Sequence, residues 1–124
     1  MATHSRWRQI VKVLLALSLT AVIVGSLLPG ESSVMSAVAK LPVSDKVLHF
    51  TAYLALATLA AWAQRGWRTS IWFAASLALL GAGLELAQHF VPGRTPEVAD
   101  ELANVLGVVC GLVAGRLVAP KEAD

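Results

Sequence analysis

The chain has 124 residues, of which 56% are hydrophobic and 15% are charged, and its mean hydropathy is +0.67. A soluble domain is about 45–50% apolar and about 25% charged, so this composition excludes that class and indicates one integral membrane domain over residues 1–124. The net charge of +2 with scattered basic residues argues against nucleic-acid binding, and the single cysteine, Cys110, excludes an internal disulfide.

Four apolar runs predict an all-α bundle of four transmembrane helices, at about residues 10–28, 45–64, 70–90 and 96–118. Each run has about 19–23 residues, which at 1.5 Å per residue crosses a hydrocarbon core of about 30 Å. Pro29 and Gly30 are expected to end the first helix. Ser44 is a suitable N-cap for the second, whereas Thr95 and Pro96 suit the N-cap and first position of the fourth.

The first run also raises the alternative of a cleaved signal peptide, because small residues occur at Ala37-Val38-Ala39. Its apolar core is longer than that of a typical signal peptide, and the tripeptide lies far beyond its end. We therefore predict an uncleaved membrane helix, with the Lys12 side chain extending back to the aqueous side.

The basic residues are distributed unevenly between the two sides of the predicted bundle. Positive loops mark the cytoplasmic side, so we predict a multi-pass protein of the bacterial cytoplasmic membrane with both termini in the cytoplasm. Seven basic residues lie on that side, namely Arg6, Arg8, Lys12, Arg65, Arg68, Arg116 and Lys121, and three lie on the other, namely Lys40, Lys46 and Arg94.

Polar clusters occur at the outer end of three predicted helices. With the bounds above, several of their members lie roughly 6–12 Å below the helix ends. Charged groups at such depth are costly unless they are paired or hydrated, so the clusters form a functional-site hypothesis. The candidates are Asp45, Lys46, His49 and Tyr53 on the second helix, Glu85 and Gln88 on the third, Arg94 in the loop, and Asp100 and Asn104 on the fourth.

These residues support several chemical interpretations. Burial disfavours the charged form of a carboxylate, so Glu85 or Asp100 could act as acid or base near neutral pH, with His49 as catalytic partner. Arg94 could pair with either carboxylate in bidentate fashion. A second interpretation is an interhelical hydrogen-bond network that only fixes the helices.

Two further aspects of the candidate site follow from the same residues. A metal held by His49, Glu85 and Asp100 is a weaker alternative, because their spacing carries no metal signature; we predict no cofactor. The other polar candidates, which are Asp45, Lys46, Tyr53, Gln88, Arg94 and Asn104, are expected to bind a ligand, with Lys46 and Arg94 holding an anionic head group.

Glycines recur every four residues on the last predicted helix, at Gly107, Gly111 and Gly115. Small residues at this spacing create a smooth face that lets another helix approach closely. We predict a packing role for them, and the last helix is also the candidate interface of a homo-oligomer.

The polar motifs together resemble the VanZ-like family of small bacterial membrane proteins. The resemblance extends from about Asp45 to Gly111 and implies an envelope protein with four or five helices. The founding member of the family is associated with resistance to teicoplanin, a lipid-bearing glycopeptide. In order, the motifs are Ser44-Asp45-Lys46-x-x-His49-Phe50-x-x-Tyr53, Glu85-x-x-Gln88, Pro92-Gly93-Arg94 and Asp100-x-x-x-Asn104-x-x-Gly107-x-x-x-Gly111.

Residues and resemblance together predict a cell-envelope protein whose outward-facing polar pocket binds or modifies a lipid-linked or amphipathic molecule. Membrane lipids or a lipoglycopeptide would be its partners, which brings glycopeptide resistance into consideration. A non-catalytic membrane scaffold or accessory subunit is the alternative from a different class. A transporter ranks third, since four helices leave little room for a gated pathway and no inverted repeat is visible.

Overall fold

The structure is a computed structural model that describes residues 2–120, and these residues form five helices and no strand. Four of the helices are long and apolar enough to span a membrane. This confirms the predicted all-helical architecture with four candidate spans, whereas the orientation of the termini stays a prediction. The helices are α1 (Ala2–Leu27), α2 (Ser33–Ala39), α3 (Asp45–Ala63), α4 (Trp67–Gln88) and α5 (Val98–Val118).

The short helix α2 was not predicted from the sequence. It has only seven residues and begins after Ser32, whose hydroxyl accepts a hydrogen bond from the Met35 backbone N–H at 3.2 Å. Hydropathy does not detect a helix of this length, because it buries no continuous apolar stripe.

The helix ends agree with the predicted caps at one position and differ at another. Ser44 caps α3, and its hydroxyl accepts from the Val47 N–H at 3.2 Å. The prediction of Thr95 as the cap of α5 is wrong, because that helix begins at Val98 with Glu97 at its N-cap. The Glu97 side chain makes no capping bond and instead contacts Lys46 on α3.

Helix α3 is the central element of the bundle. It makes its largest interface with α5 and also packs against α1 and α4. Small residues such as Ala57, Ala60 and Ala61 line its buried surface and allow neighbouring helices to lie close. Large apolar side chains such as Leu79 and Leu117 point outward, which is the surface expected of helices that contact lipid.

The glycine stripe of α5 lies against α3, and the packing role of these residues stays a prediction. A Cβ atom built at Gly107 would meet the Phe50 carbonyl oxygen, and one at Gly111 would meet the Leu54 carbonyl oxygen. At Gly115 it would lie 2.9 Å from the Ala61 Cβ. Within the monomer this face of α5 is therefore covered, and a homo-oligomer through α5 stays a prediction that would need another face.

The two loops at one end of the bundle are joined to each other. The Gly30 N–H, between α1 and α2, donates to the Pro92 carbonyl, between α4 and α5, at 2.9 Å. Gly93 has φ of +74°, a conformation that favours glycine, and its backbone leaves no room for a Cβ atom at Gly30. This end, where α1 and α4 finish and α3 and α5 begin, is called the polar end below.

Candidate functional site

The polar end brings the predicted residues of α3 and α5 into direct contact. Lys46 Nζ lies 2.7 Å from Glu97 Oε2 and 2.9 Å from Asp100 Oδ1. The Asp100 side chain is only 4% exposed, whereas that of Lys46 is 42% exposed. Lys46 therefore neutralises a buried carboxylate while its own amino group stays accessible from outside.

His49 and Asn104 form the second contact between these helices. His49 Nδ1 lies 2.9 Å from Asn104 Oδ1, and Asn104 Nδ2 donates to Glu101 Oε2 at 3.0 Å. A carboxylate only accepts hydrogen bonds, so the amide NH₂ must face Glu101 and the amide oxygen must face the imidazole. His49 Nδ1 consequently carries the proton, and Nε2 is the atom left for chemistry.

The Nε2 atom of His49 faces two carboxylates. It lies 3.7 Å from Asp45 Oδ2 and 3.9 Å from Asp100 Oδ2. Both distances exceed the length of a hydrogen bond. Asp45, His49 and Asp100 each offer one ligand atom within 4.8 Å of the others and form a group that could hold a metal ion. This group has Asp45 where the weaker metal alternative from the sequence had Glu85.

Glu85 and Gln88 on α4 complete the buried part of the polar end. Glu85 lies beside Asp100 and within electrostatic reach of His49, but its Oε1 is buried and has no hydrogen-bond partner among the described residues. Gln88 Nε2 donates to the Ser26 carbonyl at the end of α1, at 3.0 Å. The predicted convergence of the three helices is therefore present for His49, Glu85 and Asp100.

The predicted pairing of Arg94 with Asp100 or Glu85 is wrong in the part of the chain that the structure describes. Arg94 Nη1 is instead directed at the segment between α1 and α2. It lies 3.4 Å from both the Gly25 and Leu28 carbonyl oxygens and 2.6 Å from Met35 Sδ. The path of the backbone between α1 and α2 places these carbonyl groups beside Arg94, and no pattern in the sequence predicts that path.

Tyr53 shares the α3 face with His49 but belongs to the packed core. It is 3% exposed and contacts neighbours in the apolar cluster. A Cβ atom at Gly81 of α4 would lie 3.3 Å from its ring. Among the predicted ligand-binding residues, Tyr53 is therefore the one that packing alone accounts for.

A cavity of about 450 Å³ opens at the polar end. Its walls include Asp45, Lys46, His49, Arg94 and Asp100, together with apolar side chains of α2. Glu97 also lines this cavity and was not among the predicted site residues; its only signal in the sequence is an acidic residue at the start of the last apolar run.

A larger cavity, of about 600 Å³, lies at the opposite end. Its lining includes Trp7, Trp62, Arg65 and Arg116, and no carboxylate contributes to it among the described residues. Arg116 Nη1 is already bound to the carbonyl oxygens of Ala61 and Gln64. The carboxylates of the described residues are thus gathered at the polar end, which is the better candidate site.

Comparisons with known proteins agree with this architecture. Searches of curated proteins and of solved structures gave no match. The model of the family described as VanZ/LLP1 matches residues 3–119, which is nearly the whole chain. Together with the four long apolar helices, this match indicates a multi-pass membrane protein. The chain belongs to the VanZ/LLP1 family.

Proposed function

We propose that this protein is a cell-envelope membrane protein whose outward-facing polar end binds or modifies an amphipathic, lipid-linked molecule. The observation that carries the proposal is the cavity at the polar end. It combines the buried carboxylate of Asp100 with the half-exposed side chain of Lys46, and it opens beside helices whose outer surfaces are apolar. An amphipathic ligand matches both surfaces.

The head group of such a ligand would contact Lys46 and His49. The Lys46 side chain is 42% exposed at the cavity, so its amino group can reach an anionic group while remaining close to Asp100. The acyl chain would lie on the lipid-facing side of the bundle. His49, Glu85 and Asp100 would supply proton transfer if the ligand is chemically altered.

A non-catalytic scaffold is the second candidate, and specific contacts favour it. Arg94 and Gln88 donate hydrogen bonds to backbone carbonyls of α1 and the loop that follows it. Lys46 is likewise bound between two carboxylates of α5 and its cap. A network of this kind holds helices together without any ligand.

The two functions are separated by comparing stability with phenotype. A deletion strain would be complemented with the wild type, Lys46→Gln, Asp100→Asn and a control, Lys40→Gln, whose side chain is exposed outside the cavity. Membrane lipids and cell-wall precursors would be profiled by mass spectrometry, and thermal stability of each purified variant would be measured in parallel.

We expect the Lys46 and Asp100 variants to lose complementation while keeping folded helices, and the Lys40 variant to behave as the wild type. Stability and phenotype falling together in both site variants would support the scaffold instead. Full complementation by a chain carrying both site substitutions would rule out a ligand site at the polar end.

A further inference from the structure

We propose that Asp45, His49 and Asp100 bind a divalent metal ion of the first transition row, such as Zn²⁺. The ligand atoms would be Asp45 Oδ2, His49 Nε2 and Asp100 Oδ2. Imidazole nitrogen and carboxylate oxygen are ordinary ligands of this ion. The fourth coordination position would face the cavity.

The distances fit this assignment. Zn²⁺ bonds to nitrogen and oxygen are about 2.0–2.2 Å long, so two ligand atoms of one ion lie about 3.4 Å apart at a tetrahedral angle and about 4.2 Å apart at most. The observed separations of 3.7 and 3.9 Å from His49 Nε2 fall inside that interval, and one ligand atom from each of the three residues lies within 4.8 Å of the others. The same separations are too long for hydrogen bonds, so His49 Nε2 is bound to neither carboxylate.

The imidazole is also held as a metal ligand requires. Its Nδ1–H is fixed by Asn104, which is itself oriented by Glu101. Metal-bound histidines generally donate their second N–H to an oxygen acceptor, which sets the tautomer and the ring orientation. The lone pair of Nε2 is then directed between two carboxylate oxygens, an arrangement that favours a cation.

The charge of the surroundings provides an independent argument. Glu85 is 8% exposed, its Oε1 has no hydrogen-bond partner among the described residues, and it lies beside Asp100. Lys46 compensates one oxygen of Asp100 and Glu97, while Arg94 directs its Nη1 away to the α1–α2 segment. Carboxyl groups therefore outnumber the cations that face them, and a bound cation would offset this imbalance.

A bound ion would also supply positive charge for an anionic head group. This role in head-group binding rests on the proposed function, whereas the binding of the ion does not. The two are separable because the metal titration needs no lipid. If the wild type binds Zn²⁺ while the chain carrying Lys46→Gln and Asp100→Asn still complements fully, the metal site stands and the proposed function fails.

The test is a Zn²⁺ titration of chelator-stripped protein in detergent, in which isothermal titration calorimetry measures binding. The absorption spectrum of protein loaded with Co²⁺ instead of Zn²⁺ reports the coordination of the metal. We expect one saturable site per chain. Asp45→Asn, His49→Gln and Asp100→Asn should each weaken binding at least about tenfold, and Asn104→Ala about 10–100-fold through loss of the imidazole's orientation. His89→Gln and Glu31→Gln, which change a histidine and a carboxylate outside the three ligands, should bind as the wild type.

Asp45→Asn keeps the test independent of folding, because the Asp45 side chain is 62% exposed. Zn²⁺ should raise the melting temperature of the wild type and leave that of Asp45→Asn unchanged. The proposal is overturned if the wild type shows no saturable binding, if the three ligand variants retain its Kd, or if His89→Gln abolishes binding in their place.

Discussion

Replacing Gly111 by alanine should destabilise the bundle although only one methyl group is added. A Cβ atom at this position would lie 2.8 Å from the Ala57 Cβ, and ordinary contact begins at 3.4 Å, so α3 and α5 would have to separate by about 0.6 Å. The methyl group also meets the Leu54 carbonyl oxygen, a backbone atom that cannot turn aside. Overpacking of this kind costs about 1–3 kcal/mol, and Gly111→Leu should cost more.

Gly83→Ala is the matched control, because nothing lies within 4 Å of a Cβ atom there. The same chemical change should be neutral or stabilise α4 by up to about 1 kcal/mol, since alanine is the better helix former. Unfolding of the purified variants in mixed micelles with increasing SDS, followed by far-UV circular dichroism, would measure both. Equal stability of Gly111→Ala and Gly83→Ala would refute close packing of α5 on α3.

Three further outcomes are expected. Reporter fusions after Arg68 should report the cytoplasm and fusions at Gly30 or Glu97 the outside; a cytoplasmic signal at Glu97 would reverse the orientation. Arg94→Lys should increase hydrogen exchange in the α1–α2 segment, because one ammonium cannot reproduce the guanidinium contacts, whereas the exposed Arg68→Lys should leave exchange unchanged. Trp62→Phe should cost about 1 kcal/mol in the same SDS unfolding assay through loss of the indole bond to the Gly115 carbonyl, and equal losses from the exposed Trp72→Phe would contradict that account.

The helical framework could be predicted because hydropathy and helix spacing are local properties of the sequence. Four apolar runs correspond to four long helices. The meeting of His49, Glu85 and Asp100 followed from their similar depth on three helices. The placement of Gly107, Gly111 and Gly115 on one face of α5 followed from their spacing alone.

The remaining contacts depend on the paths of the loops, which no periodic pattern encodes. Thr95 was expected to cap α5 and Glu97 to lie inside it. The helix instead begins at Val98, and Glu97 at its N-cap contacts Lys46. Arg94 was assigned to carboxylates because opposite charges attract, yet its Nη1 binds carbonyls that only the fold places nearby. The grouping of Asp45 with His49 and Asp100 as potential metal ligands depends on side-chain positions, which the sequence does not give.

The pairing of α3 with α5 has a consequence for how the chain assembles during synthesis. His49 and Asn104 are 55 residues apart, and Lys46 and Glu97 are 51 apart. Until the ribosome has produced the last helix, the ionisable side chains near the start of α3 lack these partners, although α3 already has the length of a span. Formation of α3 and completion of its polar contacts are therefore separate events, and a nascent chain stalled before residue 97 should be a substrate for chaperones and proteases.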